Sequence, residues 1–218
     1  MPARRNYKKK TKPRYNRNKW KPKISHQLKP DYSTVCYTGD NTIGSGNPAG
    51  AEYNNVITFQ FANITNSTFY ARLWDQYRIN YVKVHFIPVN TQTVNRPYDD
   101  QTAGDPNLQI PFLYAVIDRD DSNVQNSAEI KSRQGHRFAV ATKPMTWGFS
   151  PSTLSPVWTG SVSSFGYKVN LNKQWLDMGN TGIVHFGLKY ALTACTPANA
   201  YLYNIKVTYY VSFRKRIN

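Results

Sequence analysis

The chain has 218 residues and a net charge of +16, with 28 lysines and arginines, 12 acidic residues and two cysteines. No run of eighteen apolar residues occurs, so no transmembrane helix is predicted, and the apolar core of a secretory signal is not found at the start. The two cysteines, Cys36 and Cys195, are too few for a disulfide framework or a zinc site, and we expect both to be reduced and buried.

The positive charge is concentrated at the N-terminus. The first thirty residues contain twelve lysines and arginines and no acid, so that residues 31–218 carry only +4. Almost no aliphatic residue precedes Ile24, and four prolines interrupt any helix, which predicts that residues 1–30 form a disordered arm. Residues 31–218 are long enough for one domain with a substantial core.

The arm has the composition of a nucleic-acid-binding segment. Its cations can neutralise phosphates and release counterions without sequence preference, and its aromatic rings suit stacking on unpaired bases, which favours single strands. The candidate nucleic-acid-binding residues are Arg4, Arg5, Lys8, Lys9, Lys10, Lys12, Arg14, Arg17, Lys19, Lys21, Lys23, Tyr7, Tyr15 and Trp20. The candidate nuclear import signal is Lys8, Lys9, Lys10, Lys12 and Arg14. A solubilising or membrane-surface tail is the alternative, but the arm has no apolar face, so no membrane insertion is expected.

Residues 31–218 predict an all-β domain, because aromatic and β-branched residues are abundant and apolar residues alternate with polar ones. In chain order, the predicted strands are 33–38, 56–61, 77–89, 112–118, 136–142, 144–149, 183–192 and 203–213. One helix is predicted at 67–75, with Asn66 or Thr65 as its cap, and long polar loops at 39–54, 91–109 and 150–182. This pattern favours a single eight-stranded jelly roll, a two-sheet Greek-key sandwich.

No constellation of residues predicts an enzyme, a metal site or a cofactor. The segment 118–121 places three carboxylates after an apolar strand, but Arg119 competes for their charge and no further ligand follows at a useful spacing, so a solvated turn is predicted. The four histidines are scattered, and His85 and His185 fall on the polar faces of predicted strands, where we expect them at the surface. Neither a nucleophile elbow nor a phosphate-binding loop motif occurs.

Two segments carry a resemblance to a known family. YRINYVKV at 77–84, with Phe86 and Pro88, and YNIKVTYYVSFR at 203–214 resemble the fourth and last strands of circovirus and cyclovirus capsid proteins, from small circular single-stranded DNA viruses. The basic start, the segment 118–121 and Lys143-Pro144 also fit that family. The arm departs from it by mixing much lysine with arginine, which lowers the capacity for bidentate phosphate contacts but not the charge.

The resemblance implies a viral capsid protein that is not an enzyme. Copies would assemble through their jelly rolls into a T=1 icosahedral shell, with the arms pointing inward onto a circular single-stranded DNA genome. About sixty arms would bring roughly 700 charges to that genome, enough to neutralise a large share of it. The resemblance also implies location in the virion and the host nucleus, a host nuclear import receptor as a partner, and viral attachment through a sulfated glycosaminoglycan.

Two other functions stay open from the sequence. A cellular nucleic-acid-binding β protein of ribosomal or single-strand-binding type would carry basic and aromatic residues on a sheet face, whereas the predicted faces carry few charges. A lectin-like jelly roll would use its arm to grip sulfated sugars. Four aromatic residues are candidates for subunit contacts, with core packing as the equal alternative, namely Tyr98, Trp147, Trp158 and Trp175.

Overall fold

A computed structural model describes residues 30–38, 41–43, 51–89, 111–159, 165–194 and 202–217. The strands in these ranges are β1 (Tyr32–Tyr37), β2 (Asn41–Ile43), β3 (Tyr53–Phe59), β4 (Trp74–Pro88), β5 (Phe112–Val116), β6 (Arg137–Val140), β7 (Met145–Phe149), β8 (Thr153–Trp158), β9 (Phe165–Asn170), β10 (Leu176–Asp177), β11 (His185–Leu192) and β12 (Tyr203–Arg216). The helices are α1 (Ser67–Leu73) and α2 (Ser127–Ser132). Neither described helix is long and apolar enough to cross a membrane.

Two antiparallel sheets form the sandwich. Sheet I has the order β1-β12-β4-β7, and sheet II has the order β3-β11-β5-β6. This order, in which late strands lie between early ones, is that of a jelly roll built from two Greek keys. Each of the eight predicted strands corresponds to one of these eight strands, so the all-β jelly-roll prediction is confirmed.

The regions predicted as loops contain further strands. β2 pairs with β12 and β10 pairs with the start of β4, while β8 and β9 form a separate hairpin. The prediction that residues 39–54 and 150–182 are loops is therefore wrong where these strands lie. The sequence analysis also missed α2, which begins with a capping box between Asn126 and Glu129. The loop predicted at 91–109 lies outside the described residues.

The predicted helix is present but ends early. α1 stops at Leu73, two residues before the predicted end, because Trp74 already has the extended conformation that begins β4. Asn66 is the N-cap residue, as one of the two predicted alternatives, yet its side chain makes no capping hydrogen bond.

The core lies between the two sheets. Both halves of β4 contribute side chains to it, although the inward residues do not follow one strict alternation. Its buried core residues are Tyr77, Ile79, Val82, Val84 and Phe86, which change from odd to even numbers midway. A register shift explains this, since Tyr210 pairs with Tyr81 but the next residue, Val211, pairs with Ile79. The resulting bulge keeps the apolar side chains of both halves of the strand facing inward.

β11 contains a second irregularity, and there Gly187 packs closely against an aromatic ring of the other sheet. The register of β11 against β3 shifts between His185 and Leu188, and a Cβ atom at Gly187 would overlap the ring of Phe149 from sheet I. We expect Gly187→Ala to lower the free energy of unfolding by about 1–3 kcal/mol, because the ring must move. Urea denaturation of the unassembled protein measures this change.

Gly182→Ala is the matched control for that substitution. No atom lies within 4 Å of a Cβ added at Gly182, so we expect little change in stability there. Equal losses in the two variants would show that the close approach of Phe149 is not the cause.

Candidate nucleic-acid and assembly surfaces

The predicted nucleic-acid-binding residues, from Arg4 to Lys23, and the import signal lie outside the described residues. The structure does show where the arm joins the folded body. The Asp31 backbone N–H donates to the Phe213 carbonyl at 2.9 Å, and the Asp31 carboxylate accepts from the Lys215 N–H at 2.7 Å. The arm therefore leaves sheet I beside the end of β12, where residues 214–216 add three more cations.

Aromatic rings hold this exit point in place. Tyr32, the first residue of β1, stacks on Trp74 with ring centroids 6.0 Å apart, and Tyr70 from α1 stacks on Phe213 at 5.1 Å. Such pairs add about 0.5–1.5 kcal/mol each beyond the area that they bury. The stack ties the start of β1 to α1, β4 and β12, so it fixes the place from which the arm extends.

The four candidate contact aromatics have different surroundings. Trp147 on β7 is 3% exposed and belongs to the core, so the core alternative is correct for it. Trp175 is half-buried, and the guanidinium carbons of Arg78 and Arg214 lie 4.4 and 4.6 Å from its ring centroid. Trp158 at the end of β8 is 67% exposed. Tyr98 lies outside the described residues.

The hairpin of β8 and β9 is the strongest candidate for a subunit contact. Its two strands pair with each other and not with either sheet, apart from a single bridge between Ser152 and Phe186 just before it. It also exposes Val157, Trp158 and Tyr167. Two-stranded hairpins are marginally stable alone, and exposed apolar groups on one element indicate an interaction surface.

Asp118 lies in a buried ion-pair network, so the prediction of a solvated turn is wrong for this residue. Its carboxylate is 4% exposed and lies 2.9 Å from the Lys189 ammonium and 2.8 Å from the Arg133 guanidinium. Lys189, in the middle of β11, is 0% exposed and also contacts Asp121. α2 packs over this outer side of sheet II through Ile130, which explains why these charges are removed from water.

The pKa values in this network follow from its geometry. Burial alone would raise the pKa of Asp118, but hydrogen bonds with Asp120 and Lys189 and the charges of Lys189 and Arg133 outweigh it and lower the pKa. The pKa of Asp120 is raised, chiefly by its hydrogen bond with Asp118. Burial would lower the pKa of Lys189, but its two carboxylate partners raise it.

The three carboxylates of residues 118, 120 and 121 lie close together, with one oxygen of each within 4.8 Å of the others, which is the spacing of cation ligands. The Lys189 ammonium already contacts two of them, so the negative charge is balanced by the protein. The arrangement therefore favours a structural role, in which the network ties β11 to the segment between β5 and α2.

The histidines and the described cysteine also have defined places. His185 is buried, which contradicts the predicted surface position, because the irregularity of β11 turns it inward, where burial lowers its pKa. His85 is partly exposed on sheet I, as predicted, with its Nδ1 3.1 Å from the Thr146 hydroxyl. Cys36 is a buried free thiol whose pKa is raised by burial, which confirms its prediction, and Cys195 lies outside the described residues.

Two solved structures are similar to this chain at low sequence identity. The 60-mer BFDV capsid protein has a TM-score of 0.57 and 15% identity over 86% of this chain and 92% of its own. A structure of Melon necrotic spot virus has a TM-score of 0.49 and 16% identity over 86% of this chain and 55% of its own. The first of these likenesses supports the fold alone.

Sequence comparison gives the family. No curated protein matches the chain, but a family model described as Circovirus capsid protein matches residues 3–217. The match includes residues 3–30 of the arm, both segments that carry the resemblance and every described element. The chain therefore belongs to the circovirus capsid protein family and is a viral capsid protein.

Proposed function

We propose that this capsid protein assembles into a T=1 icosahedral shell and packages circular single-stranded DNA through residues 1–30, which also direct nuclear import. The observation that carries the proposal is the separation of charge, with +12 in the first thirty residues and +4 in the rest. The BFDV capsid protein of similar fold was solved as a 60-mer, which supports the copy number. A host import receptor and a sulfated glycosaminoglycan are the proposed host partners.

The geometry of the folded body supports separate roles, in which the arm binds nucleic acid and the body forms the shell. The arm starts beside the three cations of residues 214–216, at one end of sheet I. Counterion release from bound phosphates would drive packaging there without sequence preference. The low charge of the body limits repulsion between neighbouring subunits, which favours a closed shell.

Electron microscopy of the purified protein at physiological salt tests the proposal, with the ratio of absorbance at 260 and 280 nm taken on the same sample. We expect uniform small spheres with a high absorbance ratio. Monomers or dimers at every salt and pH would contradict assembly by this chain alone. Spheres with the ratio of protein alone would contradict packaging by the arm.

Trp158→Ala should weaken assembly without unfolding the subunit. Buried aromatic anchors at interfaces contribute about 2 kcal/mol or more, so we expect the concentration needed for assembly to rise by at least about 30-fold, as measured by light scattering. The free energy of unfolding should stay within about 0.5 kcal/mol of the wild-type value, since the side chain is exposed in the subunit.

Val124→Ser provides the control, because Val124 is also exposed but belongs to the segment before α2 and not to the hairpin. An equal effect of both substitutions on assembly, or no effect of Trp158→Ala, would exclude the hairpin as the contact.

A further inference from the structure

We propose that the outward face of sheet I, the side of β1, β12, β4 and β7 that points away from the core, is a second contact for single-stranded nucleic acid. This inference rests on the proposed packaging function and extends it from the arm to the folded body. Four cations occupy outward positions of this face, namely Arg78 and Lys83 on β4 and Lys206 and Arg214 on β12. The sequence-based prediction of few charges on the sheet faces is therefore wrong here.

Strand pairing brings these cations together. β12 and β4 are neighbours, with Lys206 opposite His85 and Thr208 opposite Lys83, and with Arg214 opposite Gln76. From Arg78 to His85 the face extends over seven residue steps, or about 23 Å at 3.3 Å per residue. The cations thus form two pairs on one face, Arg78 with Arg214 and Lys83 with Lys206, and this row, which we call the strip, is long enough to follow a short run of nucleotides.

The charges of Lys83 and Lys206 are not balanced by acidic side chains among the described residues of this face. In the described part of the chain, the outward positions of β1, β12, β4 and β7 hold no carboxylate, and the one acid that β10 adds to this face, Asp177, lies opposite Gln76 at the Arg214 end. By contrast, Lys189 and Arg133 form ion pairs with an aspartate at sheet II, and Lys215 at the end of β12 pairs with Asp75 of β4. An anionic partner would therefore supply what the face lacks, which is the charge complementarity expected of a phosphate-binding surface.

Two guanidinium groups are held close together at one end of the strip. Both the Arg78 and the Arg214 groups lie within 4.6 Å of the centroid of the Trp175 ring. Burial lowers the pKa of Arg78, and the charge of Arg214 lowers it further. The lowered pKa of Arg78 shows that the two like charges repel, and a phosphate bound beside them would reduce that repulsion.

Aromatic rings accompany the cations along the rest of the strip. The Lys83 ammonium lies 5.5 Å from the Tyr210 ring centroid, and the Lys206 ammonium lies 5.9 Å from that of Tyr37, which is half exposed. Rings set among cations are typical of single-strand binding, because bases stack on the rings while cations follow the backbone. The rings favour a nucleic acid over a sulfated sugar, which has no bases to stack.

The face is continuous with the arm. β1 is the edge strand of sheet I and begins two residues after the arm ends, with Tyr32 opposite Phe213. Ser33 pairs with Ser212, which pairs in turn with Arg78. The strip therefore begins two strands away from the arm exit, about 10 Å across the sheet, so a strand gripped by the arm can continue onto it.

The test compares two double variants of the full chain that lose the same charge. Lys83→Gln/Lys206→Gln removes two cations from the face. Lys131→Gln/Arg137→Gln is the control, because these cations also lie over rings, 4.5 Å from Tyr114 and 4.7 Å from Trp147, but on α2 and β6. Binding of a fluorescent oligothymidylate is measured over a range of salt, at protein concentrations where light scattering shows no assembly.

We expect the slope of log K against log salt to become less steep by about 1.4 in the face variant, since each single-strand phosphate contact contributes about 0.7. The control variant should keep the wild-type slope. Equal changes in both variants, or no change in the face variant, would overturn the inference. Unchanged thermal unfolding of each variant verifies that the fold is intact.

A third variant separates this inference from the proposed function. If neutralising Lys8, Lys9, Lys10 and Lys12 to glutamine lowers the slope while the face variant does not, the arm proposal stands and the inference fails. If the face variant lowers the slope and the arm variant does not, the inference stands and arm packaging fails. Loss of heparin binding without loss of oligonucleotide binding in the face variant would assign the face to sulfated sugars and overturn the inference.

Discussion

Lys189→Met should lower the free energy of unfolding by about 3–5 kcal/mol, the usual cost of removing one partner from a buried ion pair. The Lys189 ammonium is fully buried between Asp118 and Asp121, and Asp118 is itself 4% exposed. After the substitution, Asp118 keeps Arg133, a partner that is 40% exposed, and its charge is then poorly compensated. Urea denaturation of the unassembled protein at neutral pH measures the loss.

Two further variants test whether the buried ion pair is the cause of this loss of stability. Lys215→Met breaks the 3.6 Å ion pair with Asp75, in which both side chains are exposed, so it should cost less than about 1 kcal/mol. Adding Asp118→Asn to Lys189→Met removes the uncompensated charge and should recover part of the stability. If Lys189→Met costs no more than Lys215→Met, the network is not the buried ion pair that the geometry indicates.

The pH dependence of this loss follows from the directions of the pKa shifts. Asp118 has a pKa below the usual 3.8, so its contribution is present above that pH and disappears as pH falls through the lowered value. Lys189 has a pKa above the usual 10.5, so its contribution is complete below that pH and disappears as pH rises through the raised value. The stability gap between wild type and Lys189→Met should therefore be constant near neutral pH and narrow in strong acid.

The eight jelly-roll strands could be predicted because one face of each strand packs against the core, so that apolar and polar residues alternate along it. In β12 the odd-numbered residues from Tyr203 to Phe213 are all buried, and this period is visible in the sequence. The change of phase in β4, from Ile79 to Val82, is equally visible in the sequence, although only the paired strand shows that it is a bulge. Residues that face a common core therefore reveal their strand in the sequence, through the regular spacing of apolar side chains.

The hairpin of β8 and β9 has no such signal, because neither strand pairs with a sheet. The network around Asp118 was missed for a different reason, since Lys189 is covered by α2 and the segment before it, which pack on the outer side of sheet II. A sign of it was present, however, because Lys189 interrupts an otherwise apolar run in 186–192, which is typical of a strand covered on both faces. The capping box of Asn126 and Glu129 equally marked the start of α2.

The basic face of sheet I could not be inferred from single strands. Lys83 and Lys206 are visible as polar positions of two strands that lie far apart in sequence, and only the pairing of β4 with β12 places them on one surface. A basic and aromatic sheet face was the expected mark of the cellular alternative. Family membership over residues 3–217 decides against that alternative, which leaves the face to be explained within a capsid protein.

Deleting residues 1–30 should abolish packaging while leaving the body folded. Asp31, which anchors the start of β1 to β12, is retained, and the described core lies entirely between Cys36 and Phe213. The deletion removes twelve of the 28 lysines and arginines and no acid. We expect particles or subunits with the absorbance ratio of protein alone. Normal packaging by the shortened chain would show that the body, not the arm, holds the genome.

The full chain should bind single-stranded DNA with a steep dependence on salt, because each phosphate that the arm neutralises releases condensed counterion. For roughly six to ten phosphate contacts, affinity should fall by about 10³- to 10⁵-fold between 50 and 200 mM salt. Fluorescence anisotropy with an oligothymidylate measures this fall, and the chain lacking residues 1–30 serves as the control with a much shallower slope. A flat dependence in the full chain would exclude counterion release as the driving force, and the twelve cations of the arm would then need another role, such as the import signal alone.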